Sequence, residues 1–388
     1  MKRLLILAVA SLAIFSAAAV TPNKIVIPNI KGYKTLKGDL HVHTCFSDAA
    51  VWPTTRIHEA QWEGLDVIAI SDHLDTRHQK MRKAGYFSNK CDRNESYRVA
   101  AAAAGDKVIV IHAGEITRGM PPGHFNCLFV KDNDAICTET EKNDQDHVLA
   151  MEGGLKEARK QGAILMWNHP HWHKHAPNET KIYPEHKKWI KEGLLNAIEV
   201  YNMSCGYSPE AHEWCLKYNL AILGNSDCHQ MMLNSIDYLH GEHRPITLLF
   251  AEERSAEGVR GALEARRSAI FADGVVYGRK QELEPLFNAC VKIKAAKMND
   301  KGATFTIENK SSVPVVLCKG PGMEKLYFPR VISVDPHSSR TIKVRPVQIN
   351  NVSQKFDSSL QTLTLNFLVE TFQIGANKPL PFSIKCKR

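Results

Sequence analysis

Histidine and carboxylate residues recur along this chain in short clusters, most of them just after an apolar run. Asp39-Leu40-His41-Val42-His43 comes first, followed by Ser71-Asp72-His73 and Gly114-Glu115. Gly123-His124, Asn168-His169 and Ser226-Asp227-Cys228-His229 complete the series. Residues two apart on a strand face the same way, so His41 and His43 can grip one cation, and Asp227 and His229 repeat that spacing. A single histidine at any of these places is most simply a satisfied core or turn residue. The ordered set is not, and it points to a metal-dependent hydrolase.

Side chains delivered by successive strand ends meet only if the strands lie side by side with those ends on one face, as in a β/α barrel. Strand-like runs at 38–43, 66–71, 108–112, 126–130, 163–167, 197–201 and 220–224 alternate with helix-like stretches. These are Thr55 to Glu63, Asn94 to Ala104, Asp146 to Gln161, Pro209 to Tyr218 and Ala256 to Arg267. Gly64, Gly105 and Gly162 stand where C-terminal caps belong. The expected fold is α/β: a seven-stranded barrel over residues 37–275, and then a change of character. Residues 290–388 carry short alternating runs divided by Asn, Ser, Gly and Pro, which read as a small β-sandwich. Phe328, Phe367 and Phe372 read as its core. The charged segment Arg279 to Pro285 reads as a linker, open to proteolysis up to Ala289.

The 388 residues carry a formal charge of +9 with no outstanding basic patch. That disfavours a nucleic-acid polymer as partner and suits a small anionic substrate. Met1-Lys2-Arg3, an apolar run from Leu4 to Phe15 and Ser16-Ala17-Ala18-Ala19 form the three regions of a signal peptide over 1–19. The run is too short for a stable membrane span, so the chain is expected to be exported, to the periplasm or beyond. Ten cysteines then allow some disulfides, for example Cys205 with Cys215. Cys45 and Cys228 read as buried thiols between the ligand-type residues. Oligomeric state is not legible.

The motifs Gly38-Asp39-Leu40-His41-Val42-His43-Thr44, Phe46-Ser47-Asp48, Gly64-Leu65-Asp66 leading to Ile70-Ser71-Asp72-His73, Gly114-Glu115, Asn168-His169-Pro170 and Ser226-Asp227-Cys228-His229 resemble the polymerase-and-histidinol-phosphatase (PHP) family. The resemblance covers about residues 37–275. It implies a phosphoesterase on a distorted, TIM-like seven-stranded barrel with three divalent metals. Val51 to Arg56, Arg77-His78 and the β-rich tail look like the family's exported phosphodiesterase branch.

Carried over position by position, the resemblance puts His41, His43, Glu115 and Asp227 on a first metal. It puts Glu115, His124 and His169 on a second, and Asp48, His73 and His229 on a third. Many members have histidine where Asp48 stands, and the carboxylate suits manganese, iron or zinc. With neutral imidazoles the set keeps net positive charge, fit for a phosphoryl group. The expected reaction is hydrolysis of a small phosphate ester by a metal-bridging hydroxide, with Asp227 taking its proton. Asp72 is expected to orient a ligand from behind. Arg56, Arg77 and Arg118 are candidate phosphate anchors. His171, His173 and His175 crowd the loop after His169 as exposed side chains or a general acid, and Tyr201-Asn202 is a candidate pocket wall. A phosphodiester is the leading substrate and a phosphomonoester the alternative. A metal-dependent amide hydrolase or a non-catalytic binding protein stands further off.

Overall fold

The computed structural model describes residues 22, 24–74, 92–349 and 352–388. The signal-peptide segment and Arg77 lie outside the described residues. The first half builds a barrel from β1 (Lys34–Val42), β2 (Val67–Ile70), β3 (Ile109–Thr117), β4 (His124–Leu128), β5 (Ile164–Trp167), β6 (Ala197–Asn202) and, after the two-residue β7 (Gly206–Tyr207), β8 (Ala221–Asn225). These runs are nearly continuous in Val, Ile, Leu and Ala, because the sheet is covered on both faces. Strands β1, β2 and β3 pair in parallel, as do β5, β6 and β8. Among the described residues no regular ladder joins β8 to β1. The barrel closes through Leu40 N donating to Asn225 Oδ1 (2.8 Å), Asp227 N to His41 O (2.8 Å) and His43 N to Cys228 O (3.2 Å).

Strand β4 departs from the expected parallel pattern, running antiparallel to both β3 and β5. Only residues 118–123 separate β3 from β4, too few for a crossover helix, so the chain must double back. His124 therefore opens its strand yet lies on the same barrel end as residues that close theirs.

Outside the barrel stand α1 (Pro53–Glu63), α2 (Glu95–Ala104), α3 (Asn133–Glu141), α4 (His147–Lys160), α5 (Pro184–Lys191), α6 (Pro209–Tyr218) and α7 (Ala256–Glu264). Their ends follow ordinary capping chemistry. Pro53 occupies the first turn of α1, and Gly64 (φ 72°) caps its end by donating to Ala60 and Gln61 carbonyls. Ser208 and Asp146 accept from the first turns of α6 and α4. Gly105 and Gly162 also have positive φ, as their positions required.

Three further strands were not expected. β9 (Ile246–Ala251) pairs antiparallel with β1, β10 (Ser268–Ala272) with β9, and β11 (Val275–Gly278) with β10. The tail comprises β12 (Val291–Asn299), β13 (Gly302–Asn309), β14 (Val315–Lys319), β15 (Leu326–Tyr327), β16 (Val331–Val334), β17 (Ser339–Pro346), a small β18–β19 ribbon (Gln348–Ile349 with Val352–Ser353), β20 (Thr362–Gln373) and β21 (Pro379–Lys387). One layer runs β12–β13–β17–β15 and the other β16–β14–β20–β21, a sandwich around Phe305, Phe328 and Phe367.

The proposed linker is instead structural. Arg279 is buried, and 280–290 form α8 (Lys280–Cys290), whose Leu283, Leu286 and Phe287 are buried. Phe287 packs against Phe372 and Phe382 of the tail, and β11 pairs in parallel with β20. Of the charges that suggested a linker, Lys280 and Glu284 lie on the outer face of this amphipathic helix, while Arg279 and Glu282 are buried.

Candidate metal centre

His41 and His43 leave β1 on the same face, both fully buried. Glu115 enters the barrel from β3 and His124 from the start of β4. Asp72-His73, His169 and Asp227–His229 follow the ends of β2, β5 and β8. Four ligand-type atoms, His41 Nε2, His43 Nε2, Glu115 Oε2 and Asp227 Oδ1, gather tightly. The histidine nitrogens are 3.1 Å apart. His41 lies 3.5 Å from Glu115 and 3.3 Å from Asp227; His43 lies 3.3 Å and 3.1 Å from the same atoms. Ligands about 2.1 Å from a tetrahedral ion stand roughly 3.4 Å from one another. The spacing therefore fits a common centre.

Two further groups adjoin it. Glu115 Oε1 lies 2.8 Å from His124 Nδ1, with His169 completing the set. Asp48 Oδ1 lies 3.1 Å from His229 Nε2 and 3.4 Å from His73 Nε2, with His43 close by. Asp227 reaches both ways, its other oxygen 3.7 Å from His169 Nε2. Neither Glu115 oxygen makes a properly directed hydrogen bond despite these short contacts, and both are buried. Nitrogens and oxygens that surround a point rather than aim at one another are the donor set of a cation site. The residues present fit divalent metal.

The electrostatics agree. Burial alone would lower the His43 pKa, but the Asp227 and Glu115 carboxylates outweigh it and raise it to about 9. His41 is raised well above its ordinary value against the same burial, by Asp227 and Glu199. Burial would raise Glu115 and Asp227, yet the surrounding imidazoles hold both well below the usual carboxylate range. Burial pushes His169 well down. Two of the residues also carry backbone strain: His169 (φ 27°) and Asp227 (φ 54°) are left-handed, a conformation that persists where surroundings over-determine it.

Glu199, which the sequence reading passed over, organises this arrangement from β6. Its Oε1 accepts from His41 Nδ1 and Asn225 Nδ2, and its Oε2 from His169 N and Asn202 Nδ2, all at 3.0 Å. A carboxylate only accepts, so His41 carries its proton on Nδ1 and turns Nε2 toward the cluster. The available signal was a charged residue inside an otherwise apolar strand, Ala197-Ile198-Glu199-Val200. Asp39 similarly ties β1 to the Ser226 turn, accepting from Ser226 Oγ (2.6 Å) and Arg244 Nη1 (2.9 Å).

Several expectations need correction. Arg56 is fully buried and spent on the carbonyls of His43, Cys228 and Gln230 and on Glu59, so it anchors no phosphate. Asp72 orients no histidine: it accepts from Thr44 N, Thr44 Oγ1 and Ser47 Oγ, pinning the loop that carries Asp48. Arg118 lies outside the metal cavity, on an adjoining one. Of the loop histidines, His173 is exposed, whereas His175 is buried edge-on against His124 (4.6 Å). Tyr201 turns away to hydrogen-bond Asp273, while Asn202 does face the site. Cys205 and Cys215 are not bridged, and every described cysteine is a free thiol. Burial pushes the Cys215 thiol up to about 12.

The cavity over the cluster measures about 330 Å³ and adds Trp172 and Lys174 to the residues named above. A crystal structure of a two-domain protein from Bacteroides vulgatus, containing a predicted PHP-like metal-dependent phosphoesterase, is 35% identical with a TM-score of 0.83. The match covers 94% of this chain and 98% of that one. The chain belongs to the PHP-like metal-dependent phosphoesterases. It is a phosphoric ester hydrolase of that family, and its histidine and carboxylate clusters fit the metal dependence. The tail of this PHP-like protein matches the Ig-like domain family DUF5001 over residues 291–385. A crystal structure of a proposed metal-dependent phosphoesterase from Bifidobacterium adolescentis is 15% identical, covering 59% of this chain and 96% of that one, with a TM-score of 0.40. No curated protein matches. Among the described residues no helix is long and apolar enough to cross a membrane.

Proposed function

We propose that this PHP-like phosphoesterase is an exported phosphodiesterase acting on a small anionic ester at a three-metal centre. The observation that carries the reading is the sharing of carboxylates. Glu115 and Asp227 each stand between the first and second donor groups and also lie 3.1 Å and 3.7 Å from His73 and His229 of the third, and members of all three groups line one cavity. His41, His43, Glu115 and Asp227 would hold one ion, Glu115, His124 and His169 a second, and Asp48, His73 and His229 a third. Manganese, zinc or iron in those positions supplies Lewis-acid activation of water and of phosphoryl oxygens.

The chain's own residues do the rest. Asp227 is the proton acceptor, since its side chain is 16% exposed to the cavity while Glu115 is 1%. Asn202 Nδ2, 3.4 Å from Asp227 Oδ2, orients that carboxylate. Trp172 and Lys174 border the entrance, and Lys174 adds positive charge for an anionic ester. No side chain in the cavity is needed as a nucleophile, so phosphorus is attacked directly by water's oxygen.

The test uses protein reconstituted with manganese, zinc or iron and assayed on bis(p-nitrophenyl) phosphate and p-nitrophenyl phosphate. The diester should have the higher kcat/KM, chelation should abolish both activities, and active protein should hold about three metal equivalents. A preference for the monoester would refute the diesterase reading, and full activity with one metal would refute the three-metal reading. Asp227→Asn should lower kcat far more than it raises KM. Export rests on Met1 to Ala19 alone. N-terminal sequencing of the mature protein should begin after Ala18 or Ala19, and an intact Met1 in the cytoplasmic fraction would refute it.

A further inference from the structure

A second cavity, about 530 Å³, adjoins the metal cavity, and His124, Trp172 and Lys174 line both. Its own wall includes Arg118, next in sequence to Thr117, whose hydroxyl contacts His73. The Arg118 side chain is nine-tenths buried, at 9% exposure, yet its Nε has no acceptor among the described residues. Nη1 donates to Thr117 O at 2.8 Å, and Nη2 to Asp144 at 3.2 Å. Asp144 is 56% exposed, and a solvent-facing pair of this kind is readily exchanged for another anion. A guanidinium cannot lose its proton, so the buried Nε–H is a permanent unmet donor. His175 Nδ1, on the same wall, is also buried without a partner among the described residues.

We infer that this second cavity receives one ester arm of the substrate, and that the arm carries a second oxyanion which binds Arg118. The inference rests on the phosphodiesterase reading above. With the scissile phosphoryl group over the metal cluster, an arm leaving past Trp172 enters the adjoining cavity, whose wall includes Arg118. Arg118 and Lys174 outnumber the one carboxylate there, Asp144. The planar guanidinium fork matches carboxylate or phosphate and gains little from a neutral amide or hydroxyl. Arg118 thus selects among diesters and does not hold the phosphate being cleaved.

The experiment uses metal-reconstituted protein and four p-nitrophenyl phosphodiesters that differ only in the second arm: methyl, 4-carbamoylbutyl, 4-carboxybutyl and 4-phosphonobutyl. At least one oxyanion arm should lower KM about tenfold or more against the carbamoyl arm, with kcat nearly constant, and the better of the two identifies the anion. Arg118→Met should bring that ratio close to one, and Arg118→Lys should restore part of it. Lys174→Gln, at an exposed position, should reduce the ratio even if the Arg118 variants fold poorly. Calorimetric titration with 5-phosphonopentanoate and pentylphosphonate should show the same preference without turnover. Equal KM for charged and neutral arms, or a ratio that survives Arg118→Met, would overturn the inference while leaving diesterase activity intact. If monoesters are hydrolysed and the methyl diester is not, the phosphodiesterase reading fails first and this inference falls with it.

Discussion

Replacing Glu199 with glutamine changes no volume to speak of and tests whether the barrel sets the protonation of a metal-facing histidine. The carboxylate accepts four hydrogen bonds, two on each oxygen. An amide has one oxygen and one NH2, so one pair of donors must face another donor. The Oε2 side includes His169 N, a backbone group that cannot become an acceptor, so the amide oxygen belongs there. The NH2 then meets His41 Nδ1 and Asn225 Nδ2. Asn225 cannot turn over, because its Oδ1 already accepts from Leu40 N. His41 can respond only by carrying its proton on Nε2, the atom 3.3 Å from Asp227 and 3.5 Å from Glu115. Loss of such a partner behind a metal-facing histidine typically costs about 10–100-fold in metal affinity. One unmet buried donor adds roughly 1–3 kcal/mol of destabilisation. Calorimetric titration of metal-free Glu199→Gln with Mn²⁺ should therefore show one weakened class of site, and urea unfolding a lowered midpoint. If the variant binds metal like wild type and unfolds at the same urea concentration, the tautomer argument is wrong.

Metal uptake should be proton-coupled, because His43, raised to about 9 when the site is metal-free, must be neutral to hold an ion. Apparent affinity should rise from pH 6 to about 9 with proton release visible in buffers of different ionisation enthalpy, and pH-independent binding would refute this. The metal-free fold should respond in the opposite sense. The stability contributed by protonated His43 is complete below the unfolded value near 6.5 and lost as pH rises through about 9. Arg56→Ala should act on stability, by about 3 kcal/mol in chemical unfolding, since it strips donors from buried carbonyls and unpairs Glu59. Its main signature should not be a raised KM. Phe287→Ala should cost about 3–5 kcal/mol and destabilise barrel and tail together, and two separate unfolding transitions would show the domains to be independent.

The parts of the site that were legible in the sequence are those whose spacing is local. His41 and His43 sit two apart on one strand, Asp227 and His229 repeat the pattern, and each cluster follows an apolar run, so their convergence follows from barrel geometry. What escaped depends on contacts between distant segments. Arg56 looks like a phosphate anchor because it follows a ligand motif, but α1 turns it back under the His43 and Cys228 carbonyls. Glu199 has no motif at all, and its meaning comes from four partners contributed by β1, β8, β6 and the turn after β5. Strand β9 was missed because Ile246 to Ala251 is apolar at every position but Thr247, a pattern that periodicity cannot tell from a buried helix segment. The supposed linker failed for a related reason: charge was read without its helical phase, and every third or fourth residue from Leu283 is buried.

The same distant contacts explain why the barrel can keep so many like groups together. His43 stacks on both His73 (4.5 Å) and His229 (4.3 Å), with His41 Nε2 beside it, and protonation of all of them at once is unfavourable. Glu115 and Asp227 offset part of that charge, but they are themselves held without properly directed hydrogen bonds or in a left-handed backbone. The compensation lies one layer out. Glu199, Asp39 with Arg244, and Asp72 with Thr44 and Ser47 each form a satisfied buried network on the strand or loop behind a metal-facing residue. Such networks rigidify a site only when every member is paired. The inner layer is therefore free to remain electrostatically incomplete, and that incompleteness is what a divalent ion relieves.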